Sequence, residues 1–179
     1  MTINVLSQTF QSHQLMQLAN EATRFLELTP KHPLPINSQF NGSGVYALYY
    51  NGKNPNYLAL GGKPIYVGKA VPTGSRTGTY ITREEPKLKN RLNEHVRSIQ
   101  HTTNLNIADF KCQFIIIPLE MSAIISVVES MLINKYKPIW NTKIDGFGNH
   151  DPGKGRYEQA RSEWDKMHPG RPWADRLRK

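Results

Sequence analysis

Glu129 stands where a helix should be apolar. It lies in EMSAIISVVESMLINKYK, one turn from Ile125 on one side and from Leu132 and Ile133 on the other. Helical spacing aims it along the apolar face, where an unpaired carboxylate is expensive. It needs a bound cation or a core arginine, unless the helix is rotated to leave it in water. Arg91 and His95, four apart in NRLNEHVRSI, share one helix face. They run along the edge of the stripe of Leu88, Leu92 and Ile99, open to whatever a sheet presents there. The plainer reading is a solvated charged flank. Two tyrosines stand near glycines in short runs, Tyr46 in GVYALYY and Tyr66 in PIYVGK. Strands favour tyrosine, so packing alone accounts for each taken singly. Lys69 follows Gly68 in GGKPIYVGKA, which approaches a phosphate loop but fails it. The glycine spacing is one residue too long, and Ala70 stands where a magnesium-holding serine or threonine belongs.

Around these residues the chain alternates between regular runs and breakers. Leu15, Leu18, Ala22, Phe25 and Leu26 fall at helical spacing and predict a helix over residues 7–28. KHPLPINSQFNG then reads as a linker or arm. GVYALYY alternates as a strand, with Val45, Ala47 and Tyr49 on one face and Tyr46, Leu48 and Tyr50 on the other. Turn residues surround the short run YLAL, and PIYVGK follows as a second strand, so the pair is a hairpin with an elaborated tip. VPTGSRTGTY is a long glycine- and threonine-rich loop, of a kind that often carries function. Thr82 and Glu85 stand at capping-box spacing and predict a helix from there to about Gln100. FKCQFIIIP reads as a buried strand, and the Glu129 segment as a helix stopped by Pro138. The tail carries Trp140, Phe147 and Trp164 as anchors in polar sequence, with Trp173 beyond. The order predicts a small α/β sandwich.

The totals bound the partners. The chain has 179 residues, enough for one domain with a real core. It holds 23 lysines and arginines against 14 acidic residues, a net charge of +9 that favours a polyanion. No run of about 18 apolar residues is present, so no membrane span is expected. The opening MTINVLSQTF lacks a basic start followed by an apolar core, so no secretory leader is expected. Cys112 stands alone and can form neither an internal disulfide nor a thiolate zinc site. A reducing, cytoplasmic compartment is the natural expectation.

Gly44-Val45-Tyr46 and Tyr66-Val67-Gly68 resemble the paired signature of the GIY-YIG nuclease superfamily, with valine for isoleucine twice. The superfamily's remaining positions follow in order. Arg91 with His95 matches its arginine and the tyrosine or histidine four residues on, Glu129 its helix glutamate, and Asn141 its later asparagine. Each tripeptide alone is weak; the ordered set over residues 44–141 is specific. A closer resemblance is to the type II restriction endonucleases of that superfamily that cut CCGCGG. GVYALYY, PIYVGKAVPTGSR, RLNEHVRSI, NKYKPIWN and GFGNHDPGKGR carry it, although the connection between the signature strands is short here.

The resemblance implies a central, mostly antiparallel sheet flanked by helices, within one nuclease domain over 1–179. An N-terminal helix and arm (1–43) precede the catalytic core (44–141), and an irregular DNA-contacting tail (142–179) follows. It implies Mg²⁺-dependent hydrolysis of double-stranded DNA. Glu129 would hold one Mg²⁺ and Arg91 the phosphate. Tyr46 would help deprotonate the water, its pKa lowered by Lys69 or His95, and Tyr46 and His95 could trade roles. Tyr66 would orient water or phosphate, and Asn141 would position the site. Arg76, Lys154 and Arg156 would reach phosphates or guanine edges. A palindromic site is most simply read by a homodimer, for which the N-terminal helix and arm are free, although that helix could equally cap the core. Two rivals stay open: a repair or homing nuclease of the same superfamily, and a basic nucleic-acid-binding domain that kept the fold without the chemistry.

Overall fold

The computed structural model describes residues 12–74 and 83–178. Its centre is a four-stranded antiparallel sheet in the order β1-β4-β2-β3. The strands are β1 (His32–Pro33), β2 (Ser43–Tyr50), β3 (Tyr66–Ala70) and β4 (Phe110–Ile117). Helices α1 (His13–Leu28) and α3 (Ile125–Tyr136) cover one face. Helix α2 (Lys87–Gln100) covers the other, together with the tail, which includes the short helices α4 (Ile139–Thr142) and α5 (Glu163–Met167). The α/β sandwich expected from the sequence is present. Among the described residues no helix is long and apolar enough to cross a membrane.

β2 is central and covered on both faces, so all eight of its residues are buried. Its period-two alternation sends Val45, Ala47 and Tyr49 into a core with Ala19 and Leu26 of α1 and Val128 and Leu132 of α3. Tyr46, Leu48 and Tyr50 enter a second core with Leu88, Leu92 and Ile99 of α2 and with Trp140, Phe147 and Trp164 of the tail. Each large side chain so buried contributes about 1.5–3 kcal/mol. Of the tail anchors read from the sequence, Trp140, Phe147 and Trp164 are therefore core residues, while Trp173 is half-buried. Gly44 opens β2 where the sheet allows no side chain: a Cβ there would lie 2.0 Å from the Ile115 carbonyl oxygen.

Several boundaries differ from expectation. α2 begins at Lys87, and Glu85 lies outside it. The reason is Pro86, whose ring disfavours helical backbone at the residue before it. Glu85 instead accepts the Thr73 hydroxyl at 2.6 Å and pairs with Lys87 at 3.1 Å, while Thr82 lies outside the described residues. α1 begins at His13, capped by Ser12; residues 7–11 of the expected helix lie outside the described residues. A 3-10 turn over Leu119–Ile124 precedes α3, whose end is set by Lys137 at φ +48° and then Pro138. YLAL falls in a second 3-10 turn, Pro55–Leu60, which forms the hairpin tip.

The arm after α1 lies against the body. β1 pairs with β4, Leu34 is buried, Phe40 stacks on Phe114 (centroids 4.9 Å apart) and Lys89 Nζ donates to the Ser38 carbonyl at 2.7 Å. α1 lays Ala19 and Leu26 on the α3 side of the core and leaves Leu15, Met16, Phe25 and Leu28 exposed.

Candidate active site

The register of the central hairpin brings the two signature tripeptides together: Tyr46 pairs across from Gly68, and Leu48 from Tyr66. Only glycine serves opposite Tyr46. A Cβ on residue 68 would lie 2.3 Å from the Tyr46 hydroxyl and 2.9 Å from the Tyr66 ring. β3 is the sheet's edge, so its outer backbone groups need partners. Asn141 of α4 supplies them: its Oδ1 accepts the Val67 N–H and its Nδ2 donates to the Val67 carbonyl, both at 2.8 Å. The amide acts as a one-residue strand that fixes β3 between Tyr66 and Gly68.

Alternation along β3 then splits the site between the sheet's two sides. Tyr66 and Gly68 face α2, while Lys69 faces α3 and meets Glu129 there, Nζ to Oε2 at 2.7 Å. The Glu129 side chain is 18 % exposed and that of Lys69 35 %. The cost of a carboxylate on an apolar helix face is thus offset by a lysine from the sheet edge. Burial holds the Tyr46 and Tyr66 phenols above the usual range on the other side, and the Glu129 charge adds to it in a small part.

His95 lies deeper than its helix position predicts. The expectation was an edge; the ring is 1 % exposed and stacks on Phe147 at 4.5 Å. The tail crosses over α2 at this point and turns the edge of the apolar stripe into interior. His95 Nε2 lies 2.5 Å from the Tyr46 hydroxyl, itself 0 % exposed. Burial first, then the charge of Arg91, holds the His95 pKa well below the ordinary histidine value, so the ring is neutral. Burial likewise drives the Tyr46 phenol well above its ordinary value, with Arg91 opposing. A protonated phenol and a neutral ring thus share this one buried hydrogen bond. This corrects the expectation that Lys69 or His95 lowers the Tyr46 pKa: Lys69 is turned to Glu129, and burial outweighs the rest.

Arg91 rises from the same helix face, half-buried beside Tyr66. Its Nη1 donates to Glu94 Oε2 at 2.7 Å and to His150 Nε2 at 2.6 Å, and its Nη2 to the Gly148 carbonyl at 2.8 Å. Tyr46, Tyr66, Arg91 and His95 thus form one cluster, Lys69 and Glu129 adjoin it across β3, and Asn141 braces the strand between. Lys154 and Arg156 sit in an exposed turn of the tail, and Arg156 lines the same cavity as Gly148 and His150. Arg76 lies outside the described residues.

Sequence reasoning missed Gly148, His150 and the buried pair Asp165–Arg171, and used Phe147 only as an anchor. The one signal was local: Ser162 and Asp165 stand at N-cap spacing, and Ser162 does cap α5.

A sequence model of the Eco29kI GIY-YIG domain matches residues 38–179. The chain belongs to that family. No curated protein matches it. Membership makes it a GIY-YIG nuclease of the restriction type, with DNA as its substrate. In this Eco29kI-family chain, Glu129 is the donor suited to a hard cation. Among the described residues no group of three or more His, Cys, Asp and Glu could hold an ion. Mg²⁺ needs no such cage: it keeps several waters and takes one or two carboxylates plus substrate phosphate. Glu129, with Oε2 shared with Lys69, fits that pattern.

Proposed function

We propose that the chain is a Mg²⁺-dependent type II restriction endonuclease that cuts both strands of duplex DNA within CCGCGG as a homodimer. The observation that carries the reading is the buried Tyr46–His95 pair, placed by Gly68 beneath Tyr66 and Arg91 and across β3 from Glu129. Hydrolysis requires a water to lose a proton while its oxygen bonds to phosphorus and the bond to the 3′ oxygen breaks. Tyr46 accepts that proton at its hydroxyl oxygen as its own proton passes to His95 Nε2. The charged His95 is disfavoured by burial and by Arg91, His150 and Arg171, so it returns a proton to the Tyr46 oxygen as the phenol passes its own to the departing 3′ oxygen, which leaves as a hydroxyl with both residues reset. Because Tyr46 is covered in the free chain, this path is complete only once bound substrate displaces its cover.

Arg91 exchanges Glu94 and His150 for phosphate oxygens and holds the charge that grows on them. Tyr66, half-buried beside it, orients the phosphate or the water. Glu129 holds Mg²⁺, which when bound supplies Lewis-acid polarisation of the phosphate and eases departure of the 3′ oxygen. Lys69 keeps the Glu129 carboxylate in place, and Asn141 keeps β3 in register. Lys154 and Arg156 contact DNA from their turn, as does Arg76 from the long loop. The palindrome CCGCGG and one site per chain call for two copies to break both strands. The choice of CCGCGG rests on kinship with the Eco29kI family.

The test is digestion of a long defined duplex with and without Mg²⁺, with fragment ends mapped. Cuts confined to CCGCGG and dependent on Mg²⁺ support the reading. Cuts at another sequence overturn the site, and no cuts under any divalent ion overturn the activity. Sedimentation of a monomer both free and on CCGCGG duplex overturns the dimer alone.

A further inference from the structure

One ion pair outside these roles is buried as deeply as any core residue. The Arg171 and Asp165 side chains are each 1 % exposed and meet as a fork, Nε to Oδ1 at 2.6 Å and Nη2 to Oδ2 at 2.7 Å. The other guanidinium bonds go to a loop: Nη2 to the Gly146 carbonyl at 2.9 Å, Nη1 to Phe147 at 3.1 Å and to Asn149 at 3.4 Å. Trp164 and Trp173 lie against the guanidinium, with centroids at 4.5 and 4.6 Å. A buried ion pair is a poor device for stability, since apolar residues of equal volume often do as well or better. What this one does is hold the carbonyls of a segment that no strand or long helix pairs.

That segment touches the site at two points. Phe147 stacks on His95 and meets Tyr66 edge-on at 4.9 Å. Gly148 receives Arg91 through its carbonyl, and a Cβ at residue 148 would stand 2.6 Å from the Tyr66 hydroxyl and 3.3 Å from Arg91 Nη2. We infer that Asp165 and Arg171 are positioning residues of the catalytic centre, holding residues 146–149 so that Phe147 backs His95 and Gly148 receives Arg91. The inference rests on the nuclease reading for what the centre does, and adds which distant residues set its geometry.

The test uses the full chain. Arg171→Lys keeps the charge but cannot make both the fork and the carbonyl bonds. Single-turnover cleavage of a CCGCGG duplex at saturating enzyme should fall by about 10²-fold, the cost of a displacement of order 1 Å at a catalytic group, with DNA affinity unchanged. The acid limb of the rate–pH profile should also move up. His95 faces Tyr46, Tyr66, Arg91, His150 and Arg171 under the Phe147 ring, and water admitted there brings it back toward an ordinary value of about 6.5. A pair that only stabilises the fold lowers the folded fraction, most of all at low pH where the fold is weakest, so the rate at each pH is taken per folded molecule; an unmoved profile with an unchanged rate per folded molecule overturns the inference. Imidazole nitrogen resonances of His95 read the same shift without any cleavage. They decide the matter even if the wild-type chain cuts nothing, an outcome that sinks the nuclease reading. Identical His95 titration in wild type and Arg171→Lys overturns the inference. Should Arg171→Lys not fold, Gly148→Ala leaves the ion pair intact and pushes the loop off Tyr66 and Arg91; wild-type cleavage by that variant overturns it equally.

Discussion

The Tyr46 hydroxyl lies 2.5 Å from His95 Nε2, and the two side chains are sealed together between Gly68, Tyr66 and Phe147. Tyr46→Phe removes the hydroxyl that meets that nitrogen. An orphaned buried polar atom costs about 1–3 kcal/mol, which a stable domain survives. Removing the proton relay should slow cleavage by about 10² or more. Single-turnover rates alongside a denaturation curve separate the two effects. A variant that cleaves normally, or one that loses only DNA affinity, removes Tyr46 from the chemistry.

Glu129→Ala should abolish Mg²⁺-dependent cleavage with DNA affinity retained. Its ion pair with Lys69 is partly solvated, so stability should change by about 1 kcal/mol or less. Lys69, a third exposed, can hydrate once its partner is gone. Filter binding, cleavage across a Mg²⁺ titration and thermal unfolding check the three parts. Full cleavage by the variant in Mg²⁺ would end the metal-ligand assignment.

Asn141→Asp tests the amide clamp on Val67. The wild-type side chain offers one acceptor and one donor to a backbone N–H and carbonyl, each at 2.8 Å. An ionised aspartate offers two acceptors and sets one against the Val67 carbonyl. The variant should lose about 1–3 kcal/mol at pH 7. A protonated carboxyl again offers one donor and one acceptor, so the penalty relative to wild type should shrink as pH falls toward 4. A penalty that is constant with pH means the clamp is not what the substitution breaks.

Much of this site was readable before any coordinates because it is built from short-range rules. Period-two alternation placed Tyr46 and Val45 on opposite faces, while the register that sets Tyr46 across from Gly68 is a tertiary fact. Helical spacing put Arg91 with His95, yet it could not reveal His95's depth, because the covering ring of Phe147 comes from 52 positions later in the chain. The capping-box pattern at Thr82 and Glu85 misplaced the start of α2 because Pro86 vetoes it locally. β1 hid among prolines, where two residues of pairing leave no period. Asp165 and Arg171 stand in a polar tail with no apolar period to mark them as interior. Only tertiary contact makes them interior, and no spacing encodes which carbonyls an arginine will meet.

A second buried tyrosine–histidine pair gives the fold its acid sensitivity. Asn104 Nδ2 donates to the Met167 carbonyl, so its Oδ1 must be the atom facing His168 Nδ1, which therefore carries the proton. His168 Nε2 is then bare and accepts the Tyr57 hydroxyl, whose oxygen in turn accepts the Trp140 indole N–H at 3.0 Å. This chain ties the hairpin tip, α4 and the end of α5 together. Burial lowers the His168 pKa from 6.5 to about 4. The folded value lies below the unfolded one, so between pH 6.5 and about 4 the unfolded chain binds the proton first. Stability is therefore full above pH 6.5 and falls as pH drops through this window, by about 3 kcal/mol from this group. His95, also held neutral by burial, adds in the same direction. Denaturant unfolding at pH 7.0 and pH 4.5 should show the loss, and His168→Gln should show a smaller one, keeping the shares of His95 and of carboxylates such as Glu27 that the fold holds below their ordinary range. Equal pH dependence in the two proteins would mean that His168 is not the group being protonated.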